Sequence, residues 1–108
     1  MSMRDPGLDL HEWETEMEQL RPQLHDQPEA ALPELSDLVG RMLEARGYVW
    51  AEEPTEEGQE PEFVVEYRSA RETALRADAG EADPGDVGDA INTLRTLYDE
   101  LVLERRAP

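Results

Sequence analysis

The sequence contains no cysteine and no lysine, and its apolar residues never form a long run. Without cysteine there is no disulfide framework and no thiolate chemistry. No stretch approaches the roughly 18 consecutive apolar residues of a membrane-spanning helix, and residues 1–10 lack the apolar core of a signal peptide. We therefore expect a cytoplasmic protein that neither crosses a membrane nor depends on disulfides.

Basic residues are scarce, since 10 arginines stand against 27 acidic residues and give a formal net charge of −17. Such a charge opposes direct binding to nucleic acid or to an anionic membrane, because phosphate contacts need a basic patch. It suits a protein partner with a basic surface, or simple solubility. The acidity has two explanations, a saline habitat or a bias towards GC-rich codons, which favour arginine, alanine, glycine and proline. An acidic run within residues 52–62 accounts for much of the excess and favours the codon bias.

Residues able to do catalytic chemistry are few. The chain has two histidines, His11 and His25, and three serines, Ser2, Ser36 and Ser69. No serine lies in a nucleophile elbow, and neither histidine has an obvious partner. Paired carboxylates are so common in this chain that their presence discriminates nothing, and a chain of this size has little room for a catalytic pocket. We expect no enzymatic activity and no cofactor.

The length of 108 residues predicts one domain, and the apolar residues are spaced as in amphipathic helices. The first predicted helix spans residues 9–21 and follows a flexible N-terminus at residues 1–8. Asp9 is its N-cap and Glu12 closes a capping box. Pro22 ends it, because a proline disfavours helix at the preceding residue. The apolar stripe of this helix consists of Leu10, Trp13, Met17 and Leu20.

The second helix is predicted over residues 33–46, after a connector that begins at His25 and contains two prolines. Pro33 suits the first helical position, and Gly47 suits the left-handed residue that follows the helix end. Tyr48 then makes the hydrophobic contact of a Schellman motif. The buried face of this helix consists of Leu35, Leu38, Val39, Met42 and Leu43.

An acidic loop is predicted at residues 51–61, where prolines and a glycine interrupt a run of glutamates. The third helix is predicted over residues 61–79. Its apolar stripe consists of Phe63, Val64, Tyr67, Ala70, Ala74, Leu75 and Ala77. The competing interpretation is an α+β fold with a β-hairpin at residues 48–67, as in a winged helix, which the β-rich stretch FVVEY favours. The strongly helical stretch that follows favours the helix.

Three aspartates at intervals of three, Asp83, Asp86 and Asp89, allow three interpretations. A calcium loop of the EF-hand type needs ligands at alternate positions, and a phosphate cradle would be repelled by the carboxylates. We favour a helix start, with Asp83 as the N-cap, Pro84 at the first helical position and Asp86 near the positive end of the helix dipole. The fourth helix then spans residues 84–104, and its apolar stripe could also seal a homodimer.

One pair of potential metal ligands lies in the first helix. His11 and Glu14 are one helical turn apart, a spacing that allows both to bind one ion. Helical metal sites place two or more such pairs on facing helices, whereas the other histidine, His25, lies in the predicted connector. A solvated helix face explains His11, Glu12, Glu14 and Glu16 better than a metal site does, and we predict no metal site.

Tyr48 and Trp50 lie just past a predicted helix end, beside the acidic loop. Aromatic residues rimmed by charge can mark a protein interface, and the alternative is that they fold back to cap the core. The predicted partner-binding residues are Tyr48, Trp50, Glu52, Glu53, Glu56 and Glu57. We expect an all-α domain, a small four-helix bundle, that acts as a non-enzymatic interaction module, such as an inhibitor or adaptor on a basic protein surface. The alternatives are a self-assembling structural subunit and a metal-binding helical bundle.

Overall fold

Four helices make up the part of the chain that the structure describes, and this part contains no strand. The structure is a computed structural model that describes residues 6–48, 50 and 61–106, with the side chains of residues 10–48, 50 and 61–104. The helices are α1 (Pro6–Asp26), α2 (Pro28–Ala45), α3 (Glu62–Asp78) and α4 (Pro84–Arg106). The predicted all-α fold is confirmed. Because residues 62–67 lie in α3, the β-hairpin and the winged helix are wrong.

Two prolines lie inside helices, at places where the sequence predicts helix boundaries. α1 continues through Pro22 to Asp26, and α2 begins at Pro28 with Pro33 inside it. The predicted connector therefore shrinks to Gln27, which leaves the helical conformation with φ −139° and ψ 66°. The predicted end of the first helix and the predicted start of the second are both wrong.

Burial explains why the helices extend past these prolines. A proline inside a helix costs about 3 kcal/mol, because it removes a hydrogen bond and its ring crowds the preceding turn. The early start of α2 fully buries Ala31 and Leu32, and a buried leucine alone is worth about 1.5–3 kcal/mol. This burial offsets the cost of Pro33. In α1, the continuation past Pro22 places Leu24 against the core.

The starts of α1 and α4 differ in how well the sequence predicts them. α4 begins at Pro84, as predicted. The N–H of Val87 donates to the carbonyl of Asp83 at 3.0 Å, which is the first intrahelical bond expected of an N-cap residue. α1 begins at Pro6 rather than at Asp9. Asp9 therefore lies inside the helix and the predicted capping box is wrong, because a proline at the first helical position starts α1 earlier.

α2 and α3 are each followed by a left-handed glycine. Gly47 has a φ of 87° and Gly80 a φ of 74°, a region that glycine adopts without strain. The Tyr48 N–H donates to the carbonyl of Leu43 at 3.0 Å, and the Gly47 N–H donates to that of Glu44 at 2.9 Å. This is the hydrogen-bond pattern of a Schellman motif, so the predicted role of Gly47 is confirmed.

Consecutive helices run antiparallel, and α2 lies at the centre, in contact with α1, α3 and α4. α1 packs mainly on α2 and only lightly on α4. The core forms where the apolar stripes of the four helices meet. Its largest fully buried side chains are Met17, Leu32, Leu35, Leu38, Met42, Leu43, Tyr67, Leu94 and Leu97. The α4 stripe is thus covered by other helices of the same chain.

Two residues differ from their predicted packing. Leu75, predicted on the buried stripe of α3, is 52% exposed. Gly88 is an interior glycine of α4 for which the sequence suggests a close helix contact, but a Cβ built there meets nothing within 4 Å. The close contact lies at Gly40 in α2 instead, where a Cβ would come within 2.5 Å of another side chain.

Candidate protein-binding surface

Trp50 is anchored between α2 and α3. Its indole N–H donates to the carbonyl oxygen of Gly40 at 3.2 Å, and its ring lies edge-on to that of Tyr67 with centroids 5.1 Å apart. Gly40 permits the close approach of the Tyr67 hydroxyl, since a Cβ there would lie 2.5 Å from the Tyr67 Oη, whereas the Trp50 Cζ2 would lie at an ordinary contact distance of 3.4 Å. Trp50 itself is thus held against α2 and α3.

Tyr67 is the buried residue against which the Trp50 ring packs. Its side chain is fully buried, and its hydroxyl donates to the carbonyl oxygen of Ser36 at 3.0 Å. Burial raises the pKa of the Tyr67 hydroxyl above its ordinary value, because the charged phenolate would be poorly solvated. The Arg71 guanidinium carbon lies 4.8 Å from the Trp50 ring centroid, which is a cation–π distance. The indole ring thus contacts two residues of α3, Tyr67 and Arg71.

Tyr48 packs against α3 as Trp50 does, but one helical turn nearer to the start of that helix. Its ring packs edge-on against Phe63, with centroids 4.6 Å apart, and both rings are partly buried against the core. Tyr48 and Trp50 therefore pack onto the bundle while part of each side chain stays accessible, which is compatible with both the predicted interface and the alternative of capping the core. The predicted partner-binding glutamates lie outside the described residues: Glu52, Glu53, Glu56 and Glu57.

A long open groove runs between α2 and α3, and we call it the α2–α3 trough. It joins two cavities of about 640 and 260 Å³ that share Pro33 and Asp78 in their linings. Its apolar lining consists of Pro28, Ala30, Pro33, Ala74, Leu75 and Ala77. On the α2 side it extends from Pro28 to Asp37, which corresponds to about 14 Å of helix. The trough is thus an elongated open groove, lined by both apolar and charged side chains, rather than an enclosed pocket.

The rim of the trough is acidic. Glu29, Glu34 and Asp37 line it from α2, and Asp78 lines it from α3. In the part of the chain that the structure describes, no salt bridge joins any of these carboxylates to an arginine. Arg71 also lines the trough, but its guanidinium lies over the Trp50 ring. The rim therefore carries carboxylates without a direct salt bridge, of which Asp37 lies near enough to Arg41 to interact with it electrostatically.

The neighbouring grooves differ in chemistry. The groove between α1 and α2 is bridged by a salt bridge of Arg41 with Glu16. The groove between α3 and α4 is lined mainly by polar side chains, among them Thr73, Asp89 and Thr93. Glu34 and Asp37 also line the groove between α1 and α2. Of these three grooves, only the α2–α3 trough has an exposed leucine among its described lining residues.

Arg41 and Glu16 form a bidentate pair that joins α2 to α1. The two hydrogen bonds from the guanidinium to the carboxylate measure 3.0 and 2.6 Å. The hydrogen bond from Arg41 holds the pKa of the Glu16 carboxyl below its ordinary value, and the same bond raises the pKa of Arg41. Because the side chains are 52% and 39% exposed, solvent screening limits the pair to less than about 1 kcal/mol.

The described residues contain neither a cluster of metal ligands nor a helix that could span a membrane. His11, Glu12 and Glu14 lie on α1, and His25 lies in the last turn of that helix rather than in a connector. Within residues 6–48, 50 and 61–106, no group of three or more histidine or acidic side chains is placed to hold a metal ion. Among the described helices, none is both long enough and apolar enough to span a membrane.

Sequence reasoning missed several residues that organise this surface. Tyr67 was expected only as a member of the α3 stripe, and Ser36 and Arg71 were not singled out. Gly40 carried the one usable signal, because an interior helix glycine costs about 1 kcal/mol relative to alanine and often marks a close approach of another group. The sequence does not reveal which side chains approach Gly40, since Trp50 and Tyr67 both lie outside α2.

Comparison with known proteins leaves the function to be inferred from this surface. The sequence matches no family model, and no curated protein or solved structure is significantly similar to it. The described surface offers partly exposed aromatic rings, a groove with apolar and acidic lining residues, and carboxylates that form no direct salt bridge. Such groups suit the recognition of a partner that is both basic and apolar.

Proposed function

We propose that this chain is a non-enzymatic interaction module that binds a basic protein surface through Tyr48, Trp50 and the acidic segment at residues 51–61. The observation that supports this proposal most strongly is the anchoring of Trp50 on Gly40 and Tyr67. It fixes Trp50, the residue that precedes the acidic segment in the sequence, at one place on the bundle. A binding residue that is already ordered loses less conformational entropy on association, so more of the contact energy contributes to affinity.

The charge of the chain supports a basic partner. At −17 the chain attracts cationic surfaces over several ångströms, and such attraction raises the association rate at low salt. Clustered glutamates that present carboxylates in place of phosphates would suit an inhibitor that occupies a nucleic-acid-binding site on its partner. An adaptor that joins two proteins needs the same acidic surface. In either role, binding weakens as the ionic strength rises.

The test is affinity capture from an extract of the source cells at low and at high salt, with mass spectrometry of the retained proteins. We expect a stoichiometric basic protein that is lost at high salt. We also expect it to be lost when Glu52, Glu53, Glu56 and Glu57 are all replaced by glutamine.

The matched control replaces four other exposed acids, Glu81, Asp89, Asp99 and Glu100, by the corresponding amides, so that both variants have the same net charge. The control should retain the partner. Equal loss in both variants would mean that total charge, not the acidic segment, drives the capture. Retention of nothing but the chain itself would contradict the proposal and favour a self-assembling subunit.

A further inference from the structure

The α2–α3 trough places an exposed leucine where a partner can reach it. Leu75 is 52% exposed although it belongs to a helix whose other apolar residues are mostly buried. An isolated exposed leucine is ordinary, but Leu75 lines the same groove as Ala74 and Pro33. These side chains form a continuous apolar strip with the smaller residues near the start of α2. The strip offers apolar area that a bound segment would remove from water.

The carboxylates on both sides of this strip determine which side chains a bound segment must carry. Glu29, Glu34 and Asp37 lie on the α2 side, and Asp78 lies on the α3 side. A bound segment must therefore present apolar side chains in its middle and basic side chains along both edges. An acidic or neutral segment would leave these carboxylates partly desolvated without a partner, which is costly.

An amphipathic helix meets this requirement better than an extended strand. On a helix, residues at i, i+4 and i+7 form an apolar stripe, and the residues that flank the stripe fall on its two edges. On a strand, alternate side chains point away from the groove. The trough length of about 14 Å accommodates about nine residues of helix, or two and a half turns.

We infer that the α2–α3 trough binds an amphipathic helical segment of a partner protein, with leucine-like residues on the strip around Leu75 and arginine or lysine residues against Glu34, Asp37 and Asp78. This inference rests on the proposed function, because it names a docking surface and the chemistry of the segment that the basic partner supplies. It differs from that function in placing the contact on α2 and α3 rather than on the acidic segment.

The experiment is a selection from a displayed library of random peptides about 12 residues long against the immobilised full chain at low salt. We expect the enriched peptides to carry apolar residues at helical spacing with arginine or lysine on both sides. The tightest peptide is then synthesised, and its affinity is measured by fluorescence anisotropy. Leu75→Ser, and separately the double variant Glu34→Gln with Asp37→Asn, should each weaken binding by about tenfold, as expected for a residue that contributes at a binding hot spot.

Matched controls lie on α4. Leu103 is 67% exposed, so Leu103→Ser removes an equally accessible leucine away from the trough. Asp99→Asn with Glu100→Gln removes two exposed carboxylates there. Both controls should leave the affinity within about twofold of that of the unmodified chain, since surface substitutions outside an interface have small effects. Circular dichroism of each variant checks that the helices are intact.

The outcomes separate the two proposals. Loss of binding in the trough variants alone supports the docking surface. Basic peptides that bind equally well to the trough variants, but lose affinity when Glu52, Glu53, Glu56 and Glu57 become glutamine, overturn the trough and leave the proposed function standing. Enrichment of no basic peptide overturns both proposals. A peptide that is weakened as much by the α4 controls as by the trough variants also overturns the trough.

Discussion

The polar contacts on the two sides of α2 differ in kind, while apolar side chains of both α1 and α3 pack against it. Towards α3, Gly40 lets the Tyr67 and Trp50 rings pack onto the helix backbone, and the Tyr67 hydroxyl is buried. Towards α1, Arg41 and Glu16 form an ion pair that stays half in solvent. A buried, close-packed contact has no room to adjust, whereas an exposed ion pair can exchange its partner for water. We therefore expect changes at the Gly40–Tyr67 contact to cost much more than changes at the Arg41–Glu16 pair.

The largest expected effect comes from a methyl group at Gly40. Gly40→Ala places a Cβ 2.5 Å from the Tyr67 Oη, so the buried ring must shift and lose its hydrogen bond. Gly88→Ala is the matched control, because it adds the same methyl group to a helix interior where nothing lies within 4 Å. Both variants gain the same helix propensity. We expect the control to be more stable by about 2 kcal/mol, the cost of overpacking, as measured by urea unfolding.

A second variant identifies the cause of that difference. If the clash involves the hydroxyl of Tyr67, then the variant with both Gly40→Ala and Tyr67→Phe should lose less stability than the two single losses added together, by about 1 kcal/mol. Strict additivity, or equal stability of Gly40→Ala and Gly88→Ala, would show that the α3 side is not close-packed at this point.

An intermediate effect is expected from Tyr67→Phe alone. Loss of the hydrogen bond to the Ser36 carbonyl should cost about 1 kcal/mol at neutral pH. Because burial raises the pKa of Tyr67 in the folded state, its contribution is complete below the unfolded pKa of about 10 and is lost as the pH rises through the folded pKa. As the pH rises above about 10, the free energy of unfolding should therefore fall less for Tyr67→Phe than for the unmodified chain. Parallel stability curves at alkaline pH would contradict this.

The smallest effect is expected on the α1 side, from Glu16→Gln. Because Arg41 lowers the pKa of Glu16 in the folded state, the pair contributes fully above the unfolded pKa of about 4.3, and its contribution is lost as the pH falls through the folded pKa. At neutral pH we expect a loss of about 0.5 kcal/mol, reduced by partial exposure and by salt. The measurement is urea unfolding of both proteins at neutral and at acidic pH, where the two should converge.

Glu18→Gln is the control for the α1 side. Glu18 pairs with Arg21 at 3.5 Å within the same helix, and its side chain is 76% exposed. Its removal should cost no more than about 0.3 kcal/mol, as for other pairs three residues apart on a helix. If Glu16→Gln lost as much stability as Gly40→Ala, the expected difference between the two contacts of α2 would be contradicted.

Local signals in the sequence predicted the ends of elements well where one residue decides the backbone. Gly47 ends α2 and Pro84 begins α4, because a left-handed residue after a helix and a proline at its first position are set by local sterics. The same reasoning failed at Pro22 and Pro33, where burial of neighbouring side chains outweighs the local cost of a proline. Helix boundaries at prolines are therefore a balance that local rules cannot decide alone.

The candidate surface was only partly predictable. Tyr48 and Trp50 stand out as aromatic residues beside an acidic run, and they are found partly exposed on the bundle. The α2–α3 trough was not predicted, since Leu75 matches the helical period of the α3 stripe and was expected in the core. Its exposure results from the rotation of α3 about its axis, which depends on how Tyr67 and Ala74 pack against α2.

By itself the sequence determined the fold class, the number of helices and the strongly acidic character, because periodicity, capping and charge are properties of the chain and its near neighbours. Only the tertiary structure decided which glycine accepts a close contact, which leucine stays in solvent and which carboxylates lack an arginine partner. Those features depend on side chains from different helices, and the chain pattern does not encode how far each helix is rotated or shifted against the next. The core needs only apolar stripes, whereas a binding surface needs particular residues side by side.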